Sequence, residues 1–150
     1  MNREEIKNYL SNALPGAIFD ETGEWLNMLI DASEWKPLAR QLRSSNLNMD
    51  YLFCLTCIDW KTHLTMVYHL SSTDHRETIV IKAKVDRSNP EIETVSDIWK
   101  TAEFHEREVF EMFGVKFLHH PDLRKLILED DFVGYPLRKD FEDPVNMVKL

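Results

Sequence analysis

The sequence predicts an α+β fold: a mixed, mainly antiparallel sheet of about four strands with helices packed on it, followed by an extended C-terminal arm. Three observations lead there. Residues 50–60, 62–72 and 76–85 are strand-patterned runs in close order, and their short polar connections favour antiparallel neighbours. Amphipathic helical stretches stand before them, at residues 3–13 and 33–45. Residues 103–141, EFHEREVFEMFGVKFLHHPDLRKLILEDDFVGYPLRKDF, begin as a charged helix, are cut by Gly114, and continue through Pro121, Gly134 and Pro136 without a regular element. That last stretch is too apolar for a disordered tail, so it needs a surface to lie on. The expected division is an α+β domain over residues 1–113 and an arm of the same domain over residues 114–150.

In chain order, Ile6, Tyr9, Leu10 and Ala13 recur at helical spacing, and Pro15 and Gly16 end that helix. Strand candidates follow at residues 17–20 and 25–31, separated by the turn at Gly23. Asp31 or Ser33 can cap the next helix, whose apolar face is Trp35, Leu38, Ala39 and Leu42. Pro37 is tolerated there because it lies near the first turn. In the run from Thr62, Leu64, Met66 and Tyr68 share one face and Val67 and His69 the other. Residues 86–95, with Pro90, read as a loop. One or two short helices are expected after it, with Trp99, Ala102, Val109, Phe110 and Phe113 as the buried stripe and Glu106 on or beside it. Glu103, Arg107 and Glu111 are spaced by four, which fits an exposed ion-pair ladder contributing a few tenths of a kcal/mol per pair.

Composition narrows the function classes. The 150 residues fit one domain, with 43% hydrophobic and 29% charged residues as in ordinary soluble proteins. A formal net charge of −8 without a Lys/Arg cluster argues against a nucleic-acid or anionic-membrane surface as direct partner. No apolar run reaches the length of a membrane span, and MNREEIKNYL opens charged where a secretion signal would be apolar. The expectation is a chain on the cytoplasmic side, without membrane insertion, which could still sit on a membrane complex. With four glycines in all, neither a dinucleotide fingerprint nor a P-loop can be written.

Candidate reactive groups are few. Cys54 and Cys57 form a C-x-x-C inside a strand-like run, where positions three apart face opposite ways, and no second pair completes a zinc site. His105, His119, His120, Asp122, Glu106 and Glu108 could be collected into a metal or acid/base site, but their spacing is poor for ligands. His120-Pro121-Asp122 reads better as a turn, with Asp122 accepting the amides of residues 123–125. At the end of the arm, Tyr135, Pro136, Leu137, Arg138, Lys139, Asp140 and Phe141 set cations and an acid between apolar anchors. That pattern suits docking on a partner, and it equally suits folding back over the chain's own sheet.

The arm and the helix before it resemble the C-subunit family of respiratory complex I, the NADH:quinone oxidoreductase. That family's pattern has the form E-R-E-x-x-D-x-x-G, then H-P-D-L-R-R-I-L, then G-x-P-L-R-K-D-[FY]. It falls here on Glu106, Arg107, Glu108 and Gly114, then His120, Pro121, Asp122, Leu123 and Arg124, then Gly134, Pro136, Leu137, Arg138, Lys139, Asp140 and Phe141. Weaker similarity through LTCIDW, VYHL and PEIETVSDIW extends the resemblance over roughly residues 50–141. Glu111 replaces the family's Asp, and Lys125 stands where Arg is commoner, which puts any bidentate contact there in doubt. The resemblance implies a non-catalytic component of the peripheral arm, on the cytoplasmic side of the inner membrane. It would be packed on the large quinone-site subunit (the D type) and near the small iron–sulfur subunit (the B type). It also implies that iron–sulfur clusters, FMN, NADH and quinone belong to partner subunits, with the matched residues serving as partner contacts. The same module in a membrane-bound hydrogenase or a ferredoxin:quinone reductase, or a stand-alone metal- or thiol-dependent enzyme, are the other readings.

Overall fold

In the computed structural model, residues 2–142 are described. Helix α1 (Arg3–Ala13) starts at a reciprocal cap in which Asn2 accepts from the Glu5 amide while Glu5 accepts from the Asn2 amide. It is followed by β1 (Ile18–Asp20), β2 (Leu26–Asp31), a 3-10 turn (Ala32–Glu34) and α2 (Trp35–Ser44). Asp31, rather than Ser33, caps the turn that leads into α2. Then come β3 (Tyr51–Asp59), β4 (Leu64–Ser72), β5 (Glu77–Val85), β6 (Glu91–Glu93), α3 (Ala102–Phe113) and β7 (Lys116–Leu118).

The main sheet has five strands in the order β1-β2-β5-β4-β3, one more than expected. The meander β3-β4-β5 is antiparallel, as its short connections require, and β2 joins β5 in parallel with Met28 opposite Ile81. Alternation sends Leu64, Met66, Tyr68 and Leu70 of β4 and Ile79, Ile81, Ala83 and Val85 of β5 into the core. Trp35 of α2 lies on Tyr68 with ring centroids 4.5 Å apart and stacks on Trp99 at 6.1 Å. The Trp99 indole donates to Met49 O at 2.8 Å, fixing the turns that precede α3.

Residues 86–95 are more than a loop, and among the described residues a single α-helix follows them. Ile92 and Phe117 pair at the centre of a second, two-stranded parallel sheet of β6 and β7, flanked by bonds from Lys116 N to Pro90 O and from Thr94 N to Leu118 O. Val115 and Phe117 belong to the hydrophobic core although they follow Gly114. A register shift between Leu52 and Cys54 in β3 leaves Cys54 half-buried and Cys57 buried. Residues 143–150, the end of the expected arm, lie outside the described residues.

Candidate functional site: the arm and the helix that holds it

Helix α3 is the spine on which the arm is fastened. Its first motif residue, Glu106, is fully buried and accepts from the Thr94 hydroxyl and from Val95 N at 3.0 Å, so it holds the turn after β6. Burial pushes its carboxyl up to about 7, against the pull of those two hydrogen bonds. The His120 ring is buried beside it, with Nε2 3.9 Å from Glu106 Oε1. Nδ1 of His120 accepts the Asp122 amide at 3.0 Å, which requires Nε2 to carry the proton donated to Glu103 O at 2.9 Å. His120-Pro121-Asp122 is therefore a turn built by the histidine. The expected cap by Asp122 does not form, because its carboxylate takes the exposed Arg124 side chain at 3.0 Å instead.

The predicted Glu103–Arg107–Glu111 ladder is absent, since both of the later residues are buried and used on the arm. Arg107 donates from Nε to Arg124 O and from its terminal nitrogen to Lys125 O, each at 3.1 Å. Glu111 accepts the next amides along, Leu126 N at 2.8 Å, Ile127 N at 3.0 Å and Leu128 N at 3.2 Å. One turn of helix thus presents a cation to two carbonyls and a carboxylate to three amides of one passing strand of chain. Lys125 closes the loop beyond, donating to Glu129 O, Asp130 O and Phe132 O at 3.2, 3.0 and 2.8 Å. Three carbonyls converging on one point suit the three donors of an ammonium group.

The end of α3 and the end of the arm meet closely. Gly114 has φ 80°, and a Cβ there would meet the Tyr135 ring at 2.7 Å, so both backbone and space demand glycine. Leu137 N donates to Met112 O at 3.1 Å, and Arg138 donates from Nε to Phe113 O at 2.6 Å while lying over the Tyr135 ring. Lys139 N then reaches the Asp59 carboxylate at 2.9 Å. Asp59 also accepts both ends of the Arg87 fork at 2.9 Å and the Lys61 amide, and Arg87 continues to Asp140 at 3.2 Å. Arg87 and those amides hold the Asp59 carboxyl well below the usual carboxylate range. Phe132 stacks on Phe141 at 6.0 Å, with Gly134 close under the Phe141 ring.

The motif residues sort by exposure with some overlap, since Asp140 is exposed as well as paired with Arg87, and the exposed Leu137 and Lys139 bond the domain through their amides. Glu106, Arg107, Gly114, His120, Leu123, Arg138 and Asp140 contact their own domain; Pro136 and Phe141 are half-buried in the folded arm. Glu108, Pro121, Asp122, Arg124, Gly134, Leu137 and Lys139 are exposed. Two residues of the same network, Asp59 and Arg87, carry no signal for these roles beyond an acid that ends a strand, since their partners lie up to 80 residues away; Lys125 holds carbonyls four to seven residues ahead, which its place in the motif did not show. Outward from the fastened backbone stand Val133, Ile127 and Leu137 of the arm, exposed to 86%, 68% and 55%; on α3, Phe104 is exposed to 58% and lies against Arg107.

Reactive chemistry gains little from this geometry. Burial pushes the Cys57 thiol up to about 12, far from a ready thiolate. His119 turns to Glu93 at 2.9 Å and away from His120. Among the described residues no group of three or more His, Cys, Asp or Glu side chains could hold a metal ion. A groove of about 840 Å³ lies between α2 and residues 93–103, and its Lys36 is already bonded to Thr94 O and Asp97.

Comparison with known proteins agrees with the motif. Residues 28–145 match the family described as respiratory-chain NADH dehydrogenase, 30 Kd subunit. The C/D subunit of the NADH-quinone oxidoreductase of Phocaeicola vulgatus is 50% identical over 105 residues, which is 69% of this chain and 20% of that protein. This chain therefore spans about a fifth of the length of that relative. The C subunit of the F(420)H(2) dehydrogenase of Methanosarcina mazei is 34% identical over 148 residues, covering 95% of this chain and 93% of the relative. Among solved structures, a chain of the membrane-bound sulfane sulfur reductase, an archaeal respiratory membrane complex, matches with TM-score 0.79 and 29% identity over 93% of this chain and 85% of that one. Motif, fold and match together place the chain in the family of the respiratory-chain NADH dehydrogenase 30 kDa subunit, to which it belongs.

Proposed function

We propose that this chain is a non-catalytic peripheral-arm subunit of a proton-translocating NADH:quinone oxidoreductase. Its arm docks on the large quinone-site subunit and keeps it beside the small iron–sulfur subunit while electrons pass from NADH to quinone. The observation that carries this is the split within the arm: polar backbone groups are tied to α3, while Ile127, Val133 and Leu137 point outward. An apolar surface held in place before binding loses little conformational freedom on docking, which favours tight association. Relatives whose name joins the C and D subunits support the large subunit as the neighbour. FMN, iron–sulfur clusters, NADH and quinone are assigned to partner chains, and the complex to the cytoplasmic side of the inner membrane. Among the described residues no helix is long and apolar enough to cross a membrane.

The near full-length match to the C subunit of an F(420)H(2) dehydrogenase favours one second reading, the equivalent subunit of a related membrane complex with another electron donor, such as a hydrogenase or a ferredoxin:quinone reductase. Affinity purification of the full chain from native membranes, with the co-purifying proteins identified, tests both. A large quinone-site subunit and a small iron–sulfur subunit are expected in either case, and the donor module recovered with them separates the two. Recovery of the chain alone, at the size of the free protein, would overturn both.

A further inference from the structure

Charge on the docking face is lopsided in a way the composition of the arm hides. The arm sequence carries Arg124, Lys125, Arg138 and Lys139, which would suggest a basic contact surface. Each of those cations has a partner within the chain, although Arg124 and Lys139 stay exposed. Lys125 is enclosed by three carbonyls, Arg138 is bonded to Phe113 O, Arg124 pairs with Asp122, and Lys139 lies over the Trp60 ring. Arg107, the cation of α3, is buried against the carbonyls of residues 124 and 125.

The acids are left over. Glu129, Asp130 and Asp131 are exposed, and among the described residues their carboxylates have no cationic or hydrogen-bonding partner. They stand in sequence between Ile127 and Val133, the two most exposed apolar side chains of the arm. Glu108 is likewise exposed and unpaired among the described residues, one helical turn after the exposed Phe104. It is also the one charged residue of the Glu106-Arg107-Glu108 triplet whose side chain has no bond to its own domain among the described residues.

We propose that α3 and the arm form an apolar ridge rimmed by Glu108, Glu129, Asp130 and Asp131, and that it fits an apolar groove with arginine or lysine on its rim, carried by the large quinone-site subunit. The inference rests on the docking function proposed above and adds the sign of the partner's surface. Burial of Phe104, Ile127 and Val133 would govern how slowly the pair separates, whereas the acid rim would steer encounter and discriminate against acidic surfaces. Rim charges act at a distance of about 8–10 Å in physiological salt, so their effect fades as salt is raised.

The test measures association of the full chain with the co-expressed, purified large subunit from the same genome, at low and high ionic strength. One variant neutralises the rim (Glu108→Gln, Glu129→Gln, Asp130→Asn, Asp131→Asn); these side chains bear no internal bond, so the fold is expected to hold, and circular dichroism checks it. A second variant, Ile127→Ser with Val133→Ser, removes the ridge. The rim variant is expected to associate about tenfold more slowly at low salt and to lose most of its salt dependence, with the dissociation rate little changed. An unchanged or faster association rate would overturn the basic-rimmed partner. If the rim variant is unaffected while the serine variant separates faster, docking stands and only the charge assignment falls. If the serine variant binds as well as the wild type, docking through this ridge falls first.

Discussion

Replacing Glu111 by alanine is the perturbation whose size follows most directly from the structure. The buried carboxylate accepts three consecutive amides, Leu126, Ile127 and Leu128, at 2.8 to 3.2 Å. A hydrogen bond to a charged group contributes about 1.5–3 kcal/mol, and three bonds sharing one acceptor group contribute less than three times that. Alanine also opens a space beside Arg107, whose hold on residues 124 and 125 depends on the same strand of arm. The expected loss is about 3–5 kcal/mol, or roughly 10 °C in Tm for a chain of this size. Glutamine keeps one acceptor oxygen and should lose less; aspartate keeps the charge with a shorter reach and should lose least. Thermal unfolding gives the order, and hydrogen exchange gives the location: the amides of residues 126–128 should lose protection before those of β4. An alanine variant within about 0.5 kcal/mol of the wild type, or amides 126–128 that exchange freely in the wild type, would refute the fastening of the arm by α3.

Other perturbations test separate parts of the same network. Burial raises Glu106 from 4.5 to about 7, so between those values the folded chain holds a proton that the unfolded chain has lost. Stability from this group is full below the lower value and falls by about 3 kcal/mol as pH rises through the upper one; Glu106→Gln should flatten that slope in urea titrations across pH. Asp59 is lowered chiefly by Arg87, so its contribution is present above the ordinary carboxylate range and is lost only as pH falls through its depressed value. Asp59→Asn should destabilise by about 2–3 kcal/mol at neutral pH, measured by denaturant unfolding. Gly114→Ala must hold φ 80° and displace the Tyr135 ring, and a Tm lower by at least about 3 °C is expected, given a cost of about 1–2 kcal/mol for the backbone alone.

How much of this was legible in the sequence depends on how local the signal is. Helix α1 spans the predicted residues 3–13, and strands β3, β4 and β5 fall within two residues of their expected ends, because alternation, caps and breakers act over a few positions. β6 and β7 were missed because each has three residues and gains its identity only from a partner about 25 positions away. The spacing of Glu103, Arg107 and Glu111 showed that they could reach one another on a helix, but it could not show that the arm would come between them. The sequence points to Asp122 as acceptor of the amides of residues 123–125, whereas the turn is held by His120, which accepts the Asp122 amide, because the burial of its ring is a tertiary effect. The choice between an arm that folds back and an arm that docks dissolves at the level of single atoms. Its amides and carbonyls fold back together with Leu123 and the Phe132–Phe141 pair, whereas Ile127, Val133 and Leu137 stay exposed.

That division is the centre of the account, and one measurement addresses it most directly: capture of the large quinone-site subunit by the full chain carrying Ile127→Ser and Val133→Ser. Both side chains are exposed in the free chain, so Tm should stay within about 2 °C of the wild type. Loss of two apolar anchors at roughly 1.5 kcal/mol each should weaken capture about a hundredfold. Undiminished capture by a folded variant would mean that the ridge on the arm is not the docking surface.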